Sequence, residues 1–308
     1  MGEVGHDAEA HRYYATQSAL SDPGEFLGAL RAVEGSIPAI YAAASGLVIH
    51  FRLDDLADAG ILADRVREVD TRYAAAIFAR LFELDDRPLA ERREPRHRLV
   101  GCCRDFTLIF LAIARALGIP ARGRVGFSSY FFPGVFNDHE IAEVWDADEE
   151  RWRLVDPQLK PDHIDPNDGT EIDPTDVPRD RFLVAGRAWQ RCRAMELDAD
   201  RFVVHPAIET AFLQGWPYLA HNLVFDLAAL NKDELLLWDV WGLAGEVLGN
   251  PPWLHGSSLL ERVARVSRTP RLEDLRTLYL EQPSLCVPAE VTSFSPTGAP
   301  PQTVRHLP

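Results

Sequence analysis

The stretch that decides the fold is GCCRDFTLIFLAIARALGIPAR, residues 101–122. Two adjacent thiols, Cys102 and Cys103, stand at its head. Apolar side chains then run nearly all round a helix as far as Leu117, where Gly118 supplies a C′ residue and Pro120 forbids continuation. A helix that is apolar on every side is a buried one. The pattern therefore predicts a central helix over 102–117 with a thiol in its first turn. In that position the unpaired N–H groups and the positive end of the dipole lower a thiol's pKa and can hold a developing oxyanion.

Strands follow the helix. Residues 122–131 fit one, and 141–145 and 152–155 fit a hairpin around the acidic loop 146–150. Facing residues then have numbers that sum to about 296, which sets His139 against Asp156 to within one residue. Parity agrees, because His139, Ile141 and Trp145 share one face, as do Trp152, Leu154 and Asp156. Glu143 is the exception on that face. An imidazole beside a carboxylate would be fixed in one tautomer. Such a pair serves structure as readily as chemistry, but with the Cys103 thiol it makes a nucleophile, a base and an orienter.

These residues resemble the transglutaminase-like superfamily. The resemblance lies in Gly101-Cys102-Cys103-Arg104-Asp105, in Leu117-Gly118-Ile119-Pro120-Ala121-Arg122, in His139-Glu140-Ile141-Ala142-Glu143-Val144-Trp145 and in Trp152-Arg153-Leu154-Val155-Asp156-Pro157. It implies an α+β fold, a papain-like transglutaminase core in which a central helix packs on an antiparallel sheet. In the family pattern the nucleophile stands two residues before the Asp, so the roles fall on Cys103 as nucleophile, His139 as base and Asp156 as orienting acid. Cys102 takes a variable position. The flanking segments 179–190 and 226–231 look like those of bacterial transglutaminase-domain proteins. The implied activity is acyl transfer through a thioester on the enzyme, either amide hydrolysis or amide-bond formation. The substrate would be a small molecule, a peptide or a carrier-bound acyl group. Some members of the superfamily only bind, so a binding module with a vestigial triad is the alternative.

The flanks read as helical additions. Residues 1–99 form an N-terminal helical segment, polar and poorly ordered at its very start, with helices opening at Asp22-Pro23 and Ser36-Ile37-Pro38 and a long amphipathic segment ending at Leu84. Residues 100–178 form the core and end in a loop rich in Asp and Pro. Residues 179–286 return to helices over 181–195, 221–230, 233–247 and 270–281. Residues 287–308 read as a Pro-rich tail, mobile or draped on the surface. The C-terminal helices, with Asn222, Asp226, Asn231, Glu234 and Asp239, read as ordinary amphipathic packing, or else as a roof over the cleft.

Composition narrows the function classes. A formal net charge of −15 over 308 residues argues against nucleic acid as a partner. The basic run Arg92, Arg93, Arg96, His97 and Arg98 reads as a solvated loop, or else as a dock for an acidic substrate. Four cysteines without a CxxC pair suit a reducing cytoplasm better than disulfides or zinc. The first residues carry no secretory signal, and no apolar run is long enough to span a membrane. Asp165-Pro166-Asn167-Asp168-Gly169 is a poor calcium loop, with Gly at the fifth position and no Glu at the twelfth, so neither metal nor cofactor is expected. Arg104, Tyr130 and Asp138 join Cys102 as candidate substrate contacts. Asp105 reads as a partner of the helix dipole.

Overall fold

The computed structural model describes residues 3–208 and 210–306, the side chains of 3–7 excepted. Its centre is the helix Cys103–Ala116, every residue of which is buried. The all-round apolar pattern thus has its expected consequence. The helix ends as predicted, with Gly118 at φ 77°.

Strands are numbered as they occur. The strands β1 (Val48–His50) and β2 (Leu99–Gly101) pair in parallel and lead into the central helix. A five-stranded sheet follows: β3 (Ala121–Ser128), β4 (Phe136–Asp146), β5 (Arg151–Val155), β6 (Phe182–Val184) and the short β7 (Phe202–Val203). Its order is β5-β4-β3-β6, antiparallel throughout, with β7 parallel to β4. One face of β4, with Ala142 and Val144, belongs to the large core that contains the central helix. The other face, with Ile141, meets a smaller core of Tyr130, Leu154, Ile172 and Phe182. This is the α+β arrangement expected from the sequence, a central helix packed on an antiparallel sheet.

Several elements depart from expectation. The hairpin loop spans 147–150, one residue shorter than read, and Trp145 pairs with Trp152. His139 and Asp156 therefore meet diagonally and not face to face. Residues 3–14 are helical, with Tyr14 buried and its hydroxyl donating to the Leu230 carbonyl. The segment before Leu84 breaks into a 3-10 helix, Ala63–Asp70, and the helix Ala74–Leu84. The helix expected over 233–247 forms only over Gly242–Glu246, and the residues before it are loop, turn and a short strand. Asp239 there ion-pairs with Arg72 and accepts from the Leu236 N–H, which holds a strand β8 (Asp239–Val240) in place of a helical turn. The Pro-rich tail is not loose, since β9 (Glu290–Ser293) and β10 (Gln302–Arg305) form a hairpin that pairs with β8. The helix Ser258–Arg268, capped by Ser257, was missed.

Glu143, the exception on its face, has a physical reason to be buried. Arg122 and Arg124 donate to its Oε2 at 2.8 and 2.9 Å, and Arg179 donates to its Oε1 at 2.6 Å. Burial opposes its charge, but the three guanidinium groups hold its pKa far below the usual carboxylate range. In the basic run Arg92 and Arg96 are exposed, as in a solvated loop, but Arg93 is buried and donates to the Leu81 carbonyl. In the loop rich in Asp and Pro, Asp165 and Asp168 both pair with Arg181. No described helix is long and apolar enough to cross a membrane.

Candidate functional site

The helix start is built around Gly101. A Cβ there would lie 2.7 Å from Asp105 Oδ2 and 3.0 Å from Val48 Cγ1. Only glycine leaves room for the Asp105 carboxylate to fold back and accept from the Cys102 N–H at 2.9 Å. That contact caps the helix and fixes Cys102 just outside its first turn. Arg104 is buried and donates to the Glu234 carbonyl at 2.8 Å, to the Thr71 carbonyl at 3.3 Å and to Asp105 at 3.2 Å. Arg104 thus ties the helix start to two distant segments and does not line the cavity described below.

On β4, His139 pairs with Gly126 of β3. A Cβ on Gly126 would sit 2.2 Å from the Leu183 carbonyl, so glycine lets β6 close against the strand that carries the histidine. His139 Nε2 lies 2.8 Å from Asp156 Oδ2. Tyr130 donates its hydroxyl to the same oxygen at 2.7 Å, and the Gln158 N–H donates to Oδ1 at 3.0 Å. Burial opposes ionisation of Asp156, yet the His139 ring and these donors outweigh it and hold the acid below its usual pKa. An ionised carboxylate only accepts, so the proton of the neutral imidazole belongs on Nε2 and Nδ1 is left basic. Phe131, Tyr130 and Phe182 pack edge-to-face around the ring.

Cys103 and His139 line one cavity of about 710 Å³, together with Cys102, Asn137, Asp138 and Gln158. Among the described residues no hydrogen bond joins the Cys103 thiol to His139. The thiol's nearest influence is Cys102, whose sulfur, together with burial and the carboxylates Asp138 and Glu140, pushes the Cys103 pKa well above its ordinary value. The low pKa expected at a helix N-terminus is therefore not found, because these neighbours oppose the dipole. Asp138 accepts from the Tyr218 hydroxyl at 2.7 Å and from the Asn222 amide at 3.0 Å, and burial raises its pKa. Of the four candidate substrate contacts, Cys102 and Asp138 line the cavity. Tyr130 and Arg104 are buried behind it.

Sequence reasoning missed His50. The β1–β2 register sets it opposite Gly101, two residues before Cys103, and it lines the same cavity. Its Nδ1 accepts from the N–H groups of Arg52 and Leu53, both at 3.1 Å. Burial, aided by His139, Arg52 and His205, lowers its pKa to about 3. The ring is therefore neutral and carries its hydrogen on Nε2. No sequence signal marks it, since Val48-Ile49-His50 reads as the end of an apolar helix. Gln158 and Tyr218 were missed for the same reason, as residues of loop and helix without a motif.

A thiol at a helix start and an imidazole held by a carboxylate, walled into one cavity, occur where family comparison also points. The model of the transglutaminase-like superfamily matches residues 64–157, about a third of the chain. The match reaches further toward the N-terminus than the motifs did and takes in the helix Ala74–Leu84. Transglutaminase-like chains form a cysteine-based catalytic family. No curated protein matches this chain. Among solved structures it is similar to one from Cytophaga hutchinsonii, proposed to be a cysteine protease, with a TM-score of 0.34 and 15% identity. That likeness covers 56% of this chain and 44% of the other, less than half its length.

Proposed function

We propose that this chain is a cysteine-dependent acyl-transfer enzyme, with Cys103 as nucleophile, His139 as base and Asp156 as orienting acid. The observation that supports it most is the Asp156 contact on His139 Nε2, which leaves Nδ1 basic within a cavity shared with Cys103. The resting thiol is neutral. On attack its proton passes to His139 Nδ1 as sulfur bonds to the carbonyl carbon of an amide, ester or thioester. The carbonyl electrons move onto oxygen, then return as the leaving group departs with the proton from His139. Water or an amine, deprotonated by His139, then cleaves the thioester, giving hydrolysis or a new amide. Hydrolysis and amide formation use the same three residues.

The oxyanion needs donors. The backbone N–H of Cys103 is one, at the helix start, and we assign the Nε2–H of His50 as the other. Loss of one such donor costs about 10²–10³-fold in kcat. His50→Phe is therefore expected to lower kcat on p-nitrophenyl acetate by about that factor and to leave KM within about twofold. An unchanged kcat would remove His50 from the site.

The reading itself is tested by quenching the protein with acid during turnover of p-nitrophenyl acetate and mapping the peptides by mass spectrometry. An acetyl group on Cys103 is the expected result. A protein that neither releases p-nitrophenol nor carries an acetyl group on Cys103 would be a binding module, and one that turns the ester over without ever carrying it there would have another nucleophile.

A further inference from the structure

We infer that the acyl group transferred is apolar and uncharged, an aliphatic chain delivered as an ester or thioester; this rests on the acyl-transfer reading above. The cavity is polar around Cys103 and His139 and carries Arg52, His205 and His221 as further polar lining groups. Away from them its wall is Val204, Ile208, Leu213, Leu237, Trp238 and Leu248. At its mouth Leu53, Phe212 and Phe294 are 40%, 49% and 50% exposed, unusual for side chains of that size.

Charge points the same way. Among the described lining residues Arg52 is the one full cation and Asp138 the one carboxylate. Asp138 already has two donors, Tyr218 and Asn222. His221 is kept neutral by burial, with a pKa of about 4, and its Nδ1 meets the Ala244 carbonyl. His205 is likewise pushed toward its neutral form by burial, and Arg52 is exposed to solvent, so the wall between them offers no ionised partner for a carboxylate or an ammonium on the acyl group, and burying either unpaired is costly. An apolar chain gains from every methylene it brings out of water. A cavity of about 710 Å³ falls within the usual range for a site that engulfs a small molecule.

The test is a ladder of p-nitrophenyl esters from acetate through butanoate and hexanoate to octanoate, with the glutarate half-ester as the charged control. Rates are corrected with the Cys103→Ala protein. The expected result is a rise in kcat/KM of about three- to fourfold for each added methylene, the equivalent of ~0.8 kcal/mol per buried CH₂. The half-ester should fall below butanoate. Phe212→Asp, at the exposed rim, should lower the octanoate-to-acetate ratio by about tenfold. Calorimetric binding of octanamide and acetamide to the Cys103→Ala protein runs beside the ladder. A flat or falling ladder on a protein that is acylated at Cys103 overturns the apolar acyl class and leaves acyl transfer standing. Failure of every ester to acylate Cys103, with octanamide binding far tighter than acetamide, overturns acyl transfer and keeps the apolar ligand. Equal binding of the two amides overturns the apolar class whatever the esters do.

Discussion

Alanine in place of Cys103 is expected to cut turnover of p-nitrophenyl acetate by at least about 10⁴-fold, the scale on which a covalent nucleophile is missed. Alanine in place of Cys102 should keep most of it. The helix cap keeps the contact of the Cys102 backbone N–H with the Asp105 carboxylate and loses only the weak acceptance of the Asp105 N–H by the Cys102 sulfur. The Cys102 variant has a second expected signature. The Cys102 side chain is the foremost cause of the raised Cys103 pKa. Removing it should bring that pKa down, so alkylation of Cys103 by iodoacetamide should set in at a lower pH than in the parent protein. Because the thiolate is the reactive form, the rate at a fixed neutral pH should rise. The reverse pattern, with Cys102→Ala inactive and Cys103→Ala active, would move the nucleophile by one residue.

The second large effect is on stability. Asp226 accepts from Arg124 Nε at 3.0 Å, from Arg124 Nη2 at 2.9 Å and from the Val125 N–H at 2.9 Å, and it also accepts from Ser267 Oγ. Arg124 in turn holds Glu143 at 2.9 Å. The helices Gly215–Leu230 and Ser258–Arg268 are thereby fastened to β3 and β4 through charges that are nearly inaccessible to water. Asp226→Ala would leave the guanidinium short of its bidentate partner and the Val125 N–H unpaired. Breaking one partner of a buried pair costs about 3–5 kcal/mol, a fall in thermal midpoint of roughly 10 °C for a chain of this size. Arg124→Met together with Asp226→Leu should recover much of it, since it removes both charges at once. Thermal unfolding of the three proteins decides the matter. A loss under about 1 kcal/mol for Asp226→Ala would mean that water enters and solvates the arginine.

The central helix and the hairpin were legible in the sequence because each has a local signature. Apolar residues all round, closed by Gly118 and Pro120, leave few alternatives for 103–116. The Trp145–Trp152 hairpin announces itself by alternation about an acidic loop. The contact of His139 with Asp156 was read from the same arithmetic, off by a slight shift of register that turned an opposed pair into a diagonal one. Legibility ended where partners came from far away. Nothing near Asp239 says that Arg72 will hold it, so the run around Leu235 and Leu236 read as helix. Nothing near residue 290 says that a strand awaits it, so the tail read as mobile or draped on the surface. His50 has no motif, and its tautomer depends on two backbone N–H groups that only a folded turn presents. The raised pKa of Cys103 is likewise a property of what surrounds the helix start, which the dipole argument alone left out.

The cavity takes wall residues from His50 to Pro296, with Cys103 and His139 between them. Its last wall segment follows the thiol by nearly two hundred positions of chain. During synthesis, at about 5–20 residues per second, the thiol leaves the ribosome many seconds before the segment that encloses it. For that interval Cys103 exists without its finished container. Only the closing of long loops, slow relative to local helix formation, brings the wall around it. Synthesis therefore acts as a clock on this chemistry: a chain interrupted before residue 290 would carry the thiol, the imidazole and the carboxylate, and would lack the part of the wall that Phe294 and Pro296 supply.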